Sequence, residues 1–213
     1  MLDDDQVRTI EQNARERFDQ RVSDEGRSAR ALGWDSKSSM RTRFEAATEM
    51  YDFSDERVLD VGCGFGDFYD FLIEVDQEPA TYHGVDISPR VLKIARNEHD
   101  DEATFEQRNV LLEPFDGNRF DIAVEFGLLN FDFEDANNEQ YARRFMRDCY
   151  TQSDAVLLNC LSSYREGDWE FEEFVYYYDP EKIFGYAQEL TRDIVLKHDF
   201  EPIPQKEFNL LLQ

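Results

Sequence analysis

Lysine is scarce in this chain, five residues against eighteen arginines, and acids outnumber all basic residues 48 to 23. Heat adaptation usually enriches lysine, so this composition points away from it. Positive charge is lacking overall: the formal net charge is -25. Such a field repels phosphates unless a local basic patch overrides it, which disfavours a nucleic-acid substrate. The one tight basic cluster is Arg143, Arg144 and Arg147. Helical spacing does not put the three cleanly on one face, and they read as a solvated helix balancing nearby carboxylates. Cysteine is sparse as well. Cys63, Cys149 and Cys160 are odd in number, widely spaced and without a metal-binding pattern, as expected of a reduced cytoplasmic protein. No apolar run approaches the length of a membrane span. Met1-Leu2-Asp3-Asp4-Asp5 is acidic where a signal peptide would be basic and then apolar. The expectation is a soluble chain with no membrane partner.

What is present suffices for a globular core. Hydrophobic residues make up 41% of 213 positions, enough for one domain with an N-terminal extension. The acids are scattered from Asp3 to Glu207 rather than gathered in a tail. An acidic face for a basic partner is one reading. Salt adaptation, in which ions screen the self-repulsion, accounts better for the scatter and the missing lysine.

No internal repeat or Pro/Gly/Ser-rich linker divides the chain. Residues 1–50 read as a helical segment of the same domain as 51–213. Val7, Ile10, Ala14 and Phe18 give an apolar stripe within an irregular helix over 6–32. Gly33-Trp34-Asp35-Ser36 breaks it, and Ser38 or Ser39 can cap a second helix carrying Phe44, Ala47 and Met50. Short apolar runs then alternate with helical patterns. Strands are expected at 58–61, 81–85, 104–109, 120–126, 155–161, 191–198 and 207–212. Helices are expected at 67–75, 89–97, 138–150 and 180–189. Alternating βα units argue for a mainly parallel sheet with helices on both faces. In such sheets a ligand sits beyond the carboxyl ends of the strands, where the winding reverses.

The informative segment is Val58-Leu59-Asp60-Val61-Gly62-Cys63-Gly64-Phe65-Gly66-Asp67-Phe68. A buried strand runs into three alternating glycines and then a helix. Glycine lets the backbone approach a ligand and adopt positive φ, and amides at a helix start can face polar groups of a nucleoside or amino acid. The spacing is Gly-x-Gly-x-Gly, not the Gly-x-Gly-x-x-Gly of a dinucleotide fold, which disfavours a NAD-dependent dehydrogenase. Asp60 sits inside the strand, and a buried carboxylate there needs a hydrogen-bond partner. The next strand ends at Asp86, twenty residues past Gly66, where a carboxylate can accept both hydroxyls of a ribose.

With these features the sequence resembles the class I, Rossmann-like S-adenosylmethionine-dependent methyltransferases over residues 58 to about 160. The resemblance implies a seven-stranded sheet with the last strand antiparallel, and S-adenosyl-L-methionine as cofactor. It implies that the backbone of Gly62, Cys63 and Gly64 meets the methionine and ribose, with Asp60 supporting the loop. Asp86 would hold the ribose hydroxyls and Ile87 would lie against the adenine. Asn109 and Val110 stand where the family usually has Asp and an apolar residue at the adenine amino group; an amide oxygen can still accept there. The strand ending at Phe126 and the turn Gly127-Leu128-Leu129-Asn130 match the wall beneath the methionine. Arg43, ahead of Arg41, is the candidate for the cofactor's carboxylate, because a guanidinium fork suits that geometry.

Other residues carry competing readings. Cys63 is either a reactive thiol at a helix start or a small residue in a tight turn; the turn role suits it better. Trp34 is a lid or a packing anchor. The aromatic stretch Trp169, Phe171, Phe174, Tyr176, Tyr177 and Tyr178 is an acceptor pocket or a cover for the sheet edge. His83 and His198 read as structural. Asn130, Asp132 and Tyr164 are nearer the expected cleft, but none has a catalytic signature. Asp132, Glu134, Asp135 and Asn137 resemble a metal cluster, yet such clustering arises readily in an acidic chain, and no metal is expected. The functional expectation is methyl transfer to a small molecule. The rivals are a protein-modifying methyltransferase and a cofactor binder without transferase activity.

Overall fold

A computed structural model describes residues 2–99, 103–116, 120–133, 137–164, 174–200 and 206–213. Two helices come first, α1 (Asp4–Glu25) and α2 (Lys37–Thr48), joined through a 3-10 turn at Arg30–Leu32. Then follow β1 (Arg57–Val61), α3 (Asp67–Glu74), β2 (Thr81–Asp86), α4 (Pro89–Glu98), β3 (Thr104–Gln107) and β4 (Phe120–Phe126). The chain continues as α5 (Asn138–Tyr150), β5 (Ser153–Leu161), α6 (Pro180–Ala187), β6 (Ile194–Phe200) and β7 (Glu207–Leu212).

The seven strands form one sheet in the order β3-β2-β1-β4-β5-β7-β6. Strands β1 to β5 pair in parallel, while β7 runs antiparallel to both β5 and β6. This is the Rossmann-like, seven-stranded α/β architecture with its final strand reversed. The winding turns back between β1 and β4, which sets a crevice over the carboxyl ends of those strands.

Each sheet face carries its own core. Ile10, Phe145, Met146, Ile183 and Phe208 pack on one side, and Phe44, Phe68, Leu72, Leu92 and Leu157 on the other. Burying side chains of this size stabilises the fold by about 1.5–3 kcal/mol each.

Local chemistry sets the element ends, and several differ from the sequence expectation. α1 begins at Asp4 because Asp3 and Gln6 form a reciprocal capping box. It stops at Glu25 rather than running to 32, because Gly26 turns at φ 63° and returns its N–H to Val22. Ser36, not Ser38 or Ser39, caps α2, and Ser39 is its partner in the box. β3 ends at Gln107, and the Asn109 side chain instead accepts from the Leu111 amide in the following turn. β6 begins only at Ile194, since the Thr191 hydroxyl binds the Gln213 carbonyl and receives the Asp193 amide.

In the basic cluster on α5, Arg143 and Arg147 are solvent-accessible and paired with Glu189 and Asp148 as expected, and Arg144 alone departs from a solvated helix. Arg144 is buried and fixes the start of α1, donating to the carbonyls of Leu2 and Leu111 at 3.0 and 2.9 Å and to Asp4 at 2.6 Å. At the far end Arg27 binds Asp67 and Glu98. Midway, the Ser88 hydroxyl donates to Asp19. α1 is thereby strapped across the carboxyl edge of the sheet. Among the described residues no helix is long and apolar enough to cross a membrane.

Candidate functional site

A cavity of about 840 Å³ lies between the carboxyl ends of β1, β2, β4 and β5 and the N-terminal segment. Its floor contains Asp60, Gly62, Cys63 and Gly64 after β1, and Asp86 and Ile87 after β2. Asn109, Val110, Phe126, Gly127 and Asn130 extend the floor. α1 supplies the roof through Ile10, Glu11, Ala14, Arg17, Phe18 and Arg21, and Trp34, Arg43 and Phe44 close one side. Thus all ten residues expected from sequence to meet the cofactor line one space.

The glycine loop works differently from the sequence expectation. The amides of Gly62 and Cys63 both donate to the Val85 carbonyl, at 2.8 and 3.0 Å, and the Gly64 amide donates to Asp86 at 3.3 Å. These amides are spent on tying the loop to β2, so they are not free donors awaiting a ligand. What the loop requires is space: a Cβ on Gly64 would stand 2.7 Å from Leu32 in the cap, and one on Gly127 2.7 Å from Trp34. Both glycines have positive φ, 58° and 82°. They let the N-terminal segment close directly onto the sheet edge.

Two acids sit beneath this loop. Asp60 is buried and receives the Tyr82 hydroxyl, the partner its burial demands. Burial pushes its carboxyl up to about 7, with the Tyr82 bond opposing and the charges of Asp86 and Asp67 adding. Asp86 is pushed up to about 6 by burial, against the stabilising amides of Ser88, Gly64 and Ile87. Its Oδ1 accepts from Ser88 at 2.8 Å and its Oδ2 from Gly64, and beyond these and Ile87 the carboxylate, which lines the cavity, keeps part of its acceptor capacity. The Cys63 thiol is pushed well above its ordinary value by burial, the opposite of a reactive thiolate.

Arg43 is held from behind. Its Nε and Nη2 donate to Glu207 at the start of β7, and the guanidinium lies 4.6 Å over the Trp34 ring. Nη1 is buried without a partner, and the residue faces the cavity. Glu207 in turn receives Asn159, which also binds Asn209. Arg41 points away to Glu45 and Glu74 on the surface. Trp34 is therefore both a packing anchor and a wall of the cavity.

At the wall after β3, the Asn109 side-chain oxygen accepts from the Leu111 amide and its NH2 donates to Glu11 of α1 at 3.2 Å. Glu11, Ile10 and Ala14 were invisible to the motif reading, because nothing local in sequence ties α1 to the end of β3. Glu125 was missed too. It is fully buried, accepts the amides of Asn159 and Leu129, and burial pushes its carboxyl up to about 8.

Of the weaker candidates, Asn130 lines the cavity but uses its oxygen on the Leu161 amide at 2.6 Å. Tyr164 is exposed and bonded to Glu181. His83 meets Glu106 beside Phe115 and Phe120, and His198 packs on Phe208, outside the cavity. Tyr178 is buried and donates to the Leu129 carbonyl, whereas Phe174 and Tyr177 line the cavity. Trp169, Phe171, Glu134 and Asp135 fall outside the described residues. Among the described residues no group of three or more His, Cys, Asp or Glu could hold a metal ion.

A mainly parallel sheet with a glycine loop after β1, an acid closing β2 and a covered crevice at the winding reversal defines a nucleoside-binding α/β enzyme class. Within it, a model of the methyltransferase domain matches residues 52–160, and the chain belongs to that family of S-adenosylmethionine-dependent methyltransferases. No curated protein matches the sequence.

Solved structures agree on the fold. Magnesium protoporphyrin IX methyltransferase from Synechocystis PCC 6803, with bound S-adenosylhomocysteine, superposes with a TM-score of 0.70 at 13% identity over 95% of this chain and 99% of that one. An S-adenosylmethionine-dependent methyltransferase from Mesorhizobium loti gives 0.59 at 15% identity, over 82% and 97%. The CcbJ methyltransferase from Streptomyces caelestis gives 0.59 at 15%, over 89% and 93%.

Proposed function

We propose that this enzyme methylates a small molecule inside the covered cavity, with S-adenosylmethionine lying along the carboxyl ends of β2, β1 and β4. The carrying observation is the roof: α1 is fixed at both ends and covers a partly open cleft of small-molecule size. The chain's residues fit the cofactor. Asp86 keeps acceptor capacity for the ribose hydroxyls, Ile87 and Val110 offer apolar faces to adenine, and the partnerless Nη1 of Arg43 suits the carboxylate. Glu11 beside Asn109 adds the carboxylate oxygen missing where the family usually carries Asp. Phe126 and the Gly62–Gly64 turn then form the wall along the methionine part.

The bound cofactor supplies a methyl group already activated on a sulfonium. The protein's contribution is alignment and exclusion of water, toward which Leu32 and Trp34 close on Gly64 and Gly127. A net charge of -25 opposes docking of an extended nucleic acid on the outer surface. A co-crystal with S-adenosylhomocysteine tests the reading. The ribose should lie on Asp86 and the adenine between Ile87 and Val110; a nucleoside bound elsewhere, or excluded by Leu32 and Trp34, removes it.

A further inference from the structure

The cofactor reading leaves the arginines of the roof without a task. Arg17 and Arg21 stand one turn apart on the same face of α1, and both line the cavity. Arg30, from the 3-10 turn, lines it as well. Acids outnumber basic residues about two to one in this chain, and nearby arginines find them: Arg27 binds Asp67 and Glu98, Arg43 binds Glu207, and Arg144 binds Asp4. Arg21 does not. It is half-buried, stands against Gly33 and makes no hydrogen bond or ion pair with any described residue.

Beside it, the Arg17 guanidinium lies 4.6 Å from the centroids of both Phe131 and Phe174. Phe174 has φ 70°, a costly conformation for a bulky residue, held by a bridge between Phe131 and Val175 and by the Asp132 amide on its carbonyl. The chain thus holds two rings under a cation in the wall of the cavity. One cofactor carboxylate needs one cation, and Arg43 offers it. The roof arginines are in excess of that need.

Resting on the cofactor reading, we propose that the methyl acceptor carries a carboxylate on an aromatic or otherwise apolar body. Its anion is received by Arg21, and its body lies against Phe131 and Phe174. The overall negative charge does not forbid this: Glu25, one turn from Arg21, also lines the cavity but accepts from the Ser28 hydroxyl, a partly buried guanidinium acts at short range, and acids beyond the cavity are screened.

The test uses the full chain saturated with S-adenosylhomocysteine, titrated calorimetrically with three probes of one shape: 2-naphthoate, 2-naphthol and 2-naphthylmethylamine. Naphthoate should bind at least tenfold tighter than the amine. Arg21→Gln should remove that preference while binding S-adenosylhomocysteine within twofold of wild type and melting at the same temperature. Arg30→Gln, at the exposed rim, should weaken naphthoate by less. Three results overturn the proposal: equal or tighter binding of the amine, an unchanged naphthoate preference in Arg21→Gln, or a tenfold loss of S-adenosylhomocysteine in that variant, which would assign Arg21 to the cofactor. Failure of the wild type to bind S-adenosylhomocysteine would instead remove the cofactor reading, and this inference with it.

Discussion

The two walls of the cavity are built on opposite principles. The sheet wall is acidic and assembled from short sequence-local pieces, with Asp60 and Asp86 held by hydroxyl and amide donors rather than by cations. The cap wall is assembled from residues 10 to 43 and carries Arg17, Arg21, Arg30 and Arg43 beside Glu11, Glu25 and Asp35, with α1 anchored on helices α3 and α4 at one end and on α5 at the other. In the proposed reading the sheet wall receives the nucleoside. The cap wall is where a particular chain can adapt its acceptor, because a helix roof can change side chains without disturbing the sheet.

Breaking the joint between the walls should have the largest effect. Arg43→Met leaves Glu207 buried without its cation, a loss of about 3–5 kcal/mol for this kind of pair. At roughly 2–4 °C per kcal/mol for a chain of this size, the melting temperature should fall by about 6 °C or more. Adding Glu207→Gln to that variant should recover part of the loss. A melting curve for the three proteins checks it.

Acidity tests the sheet wall next. Burial pushes the Asp86 carboxyl up to about 6, and in the proposed site only its ionised form would accept from both ribose hydroxyls. Affinity for S-adenosylhomocysteine should therefore be level above about pH 7 and fall by up to tenfold per unit below about pH 6. Titrations from pH 5 to 8 at fixed salt measure this.

The contact between the walls can then be loosened. Gly127→Val sets a branched Cβ at positive φ against Trp34, at a cost of about 1–3 kcal/mol. Hydrogen exchange in α1 should quicken while β1 and β4 stay protected.

A last effect, visible only as pH rises, lies under the sheet wall. Burial pushes the Glu125 carboxyl up to about 8, so the folded state binds the proton more tightly than the unfolded state does. That group's stabilising contribution is complete below the unfolded value and declines as pH rises toward 8. Glu125→Gln should melt close to wild type at pH 5 and gain on it by up to roughly 4 kcal/mol by pH 8.

This division also explains what could be read from sequence. β1, its loop and Asp86 were legible because a strand, three glycines and an acid at fixed spacing leave a local trace. Strand β4 and helix α5 matched to the residue, each bounded by a clear change of pattern. Glu11, Arg17 and Arg21 left no such trace: on α1 they look like any charged helix face, and only the strap to Arg144, Ser88 and Arg27 turns them inward. The spent amides of Gly62 and Cys63 were illegible for the same reason, since their acceptor, Val85, lies on another strand.

The account rests on Asp86 and the glycine loop forming the nucleoside half of the cavity. Calorimetric titration of S-adenosylhomocysteine into wild type and Asp86→Ala, in molar KCl at pH 7.5, tests this most directly. One site per chain in the wild type, weakened about thirtyfold or more by loss of the charged acceptor, is the predicted result. Equal affinity in the two proteins would contradict it.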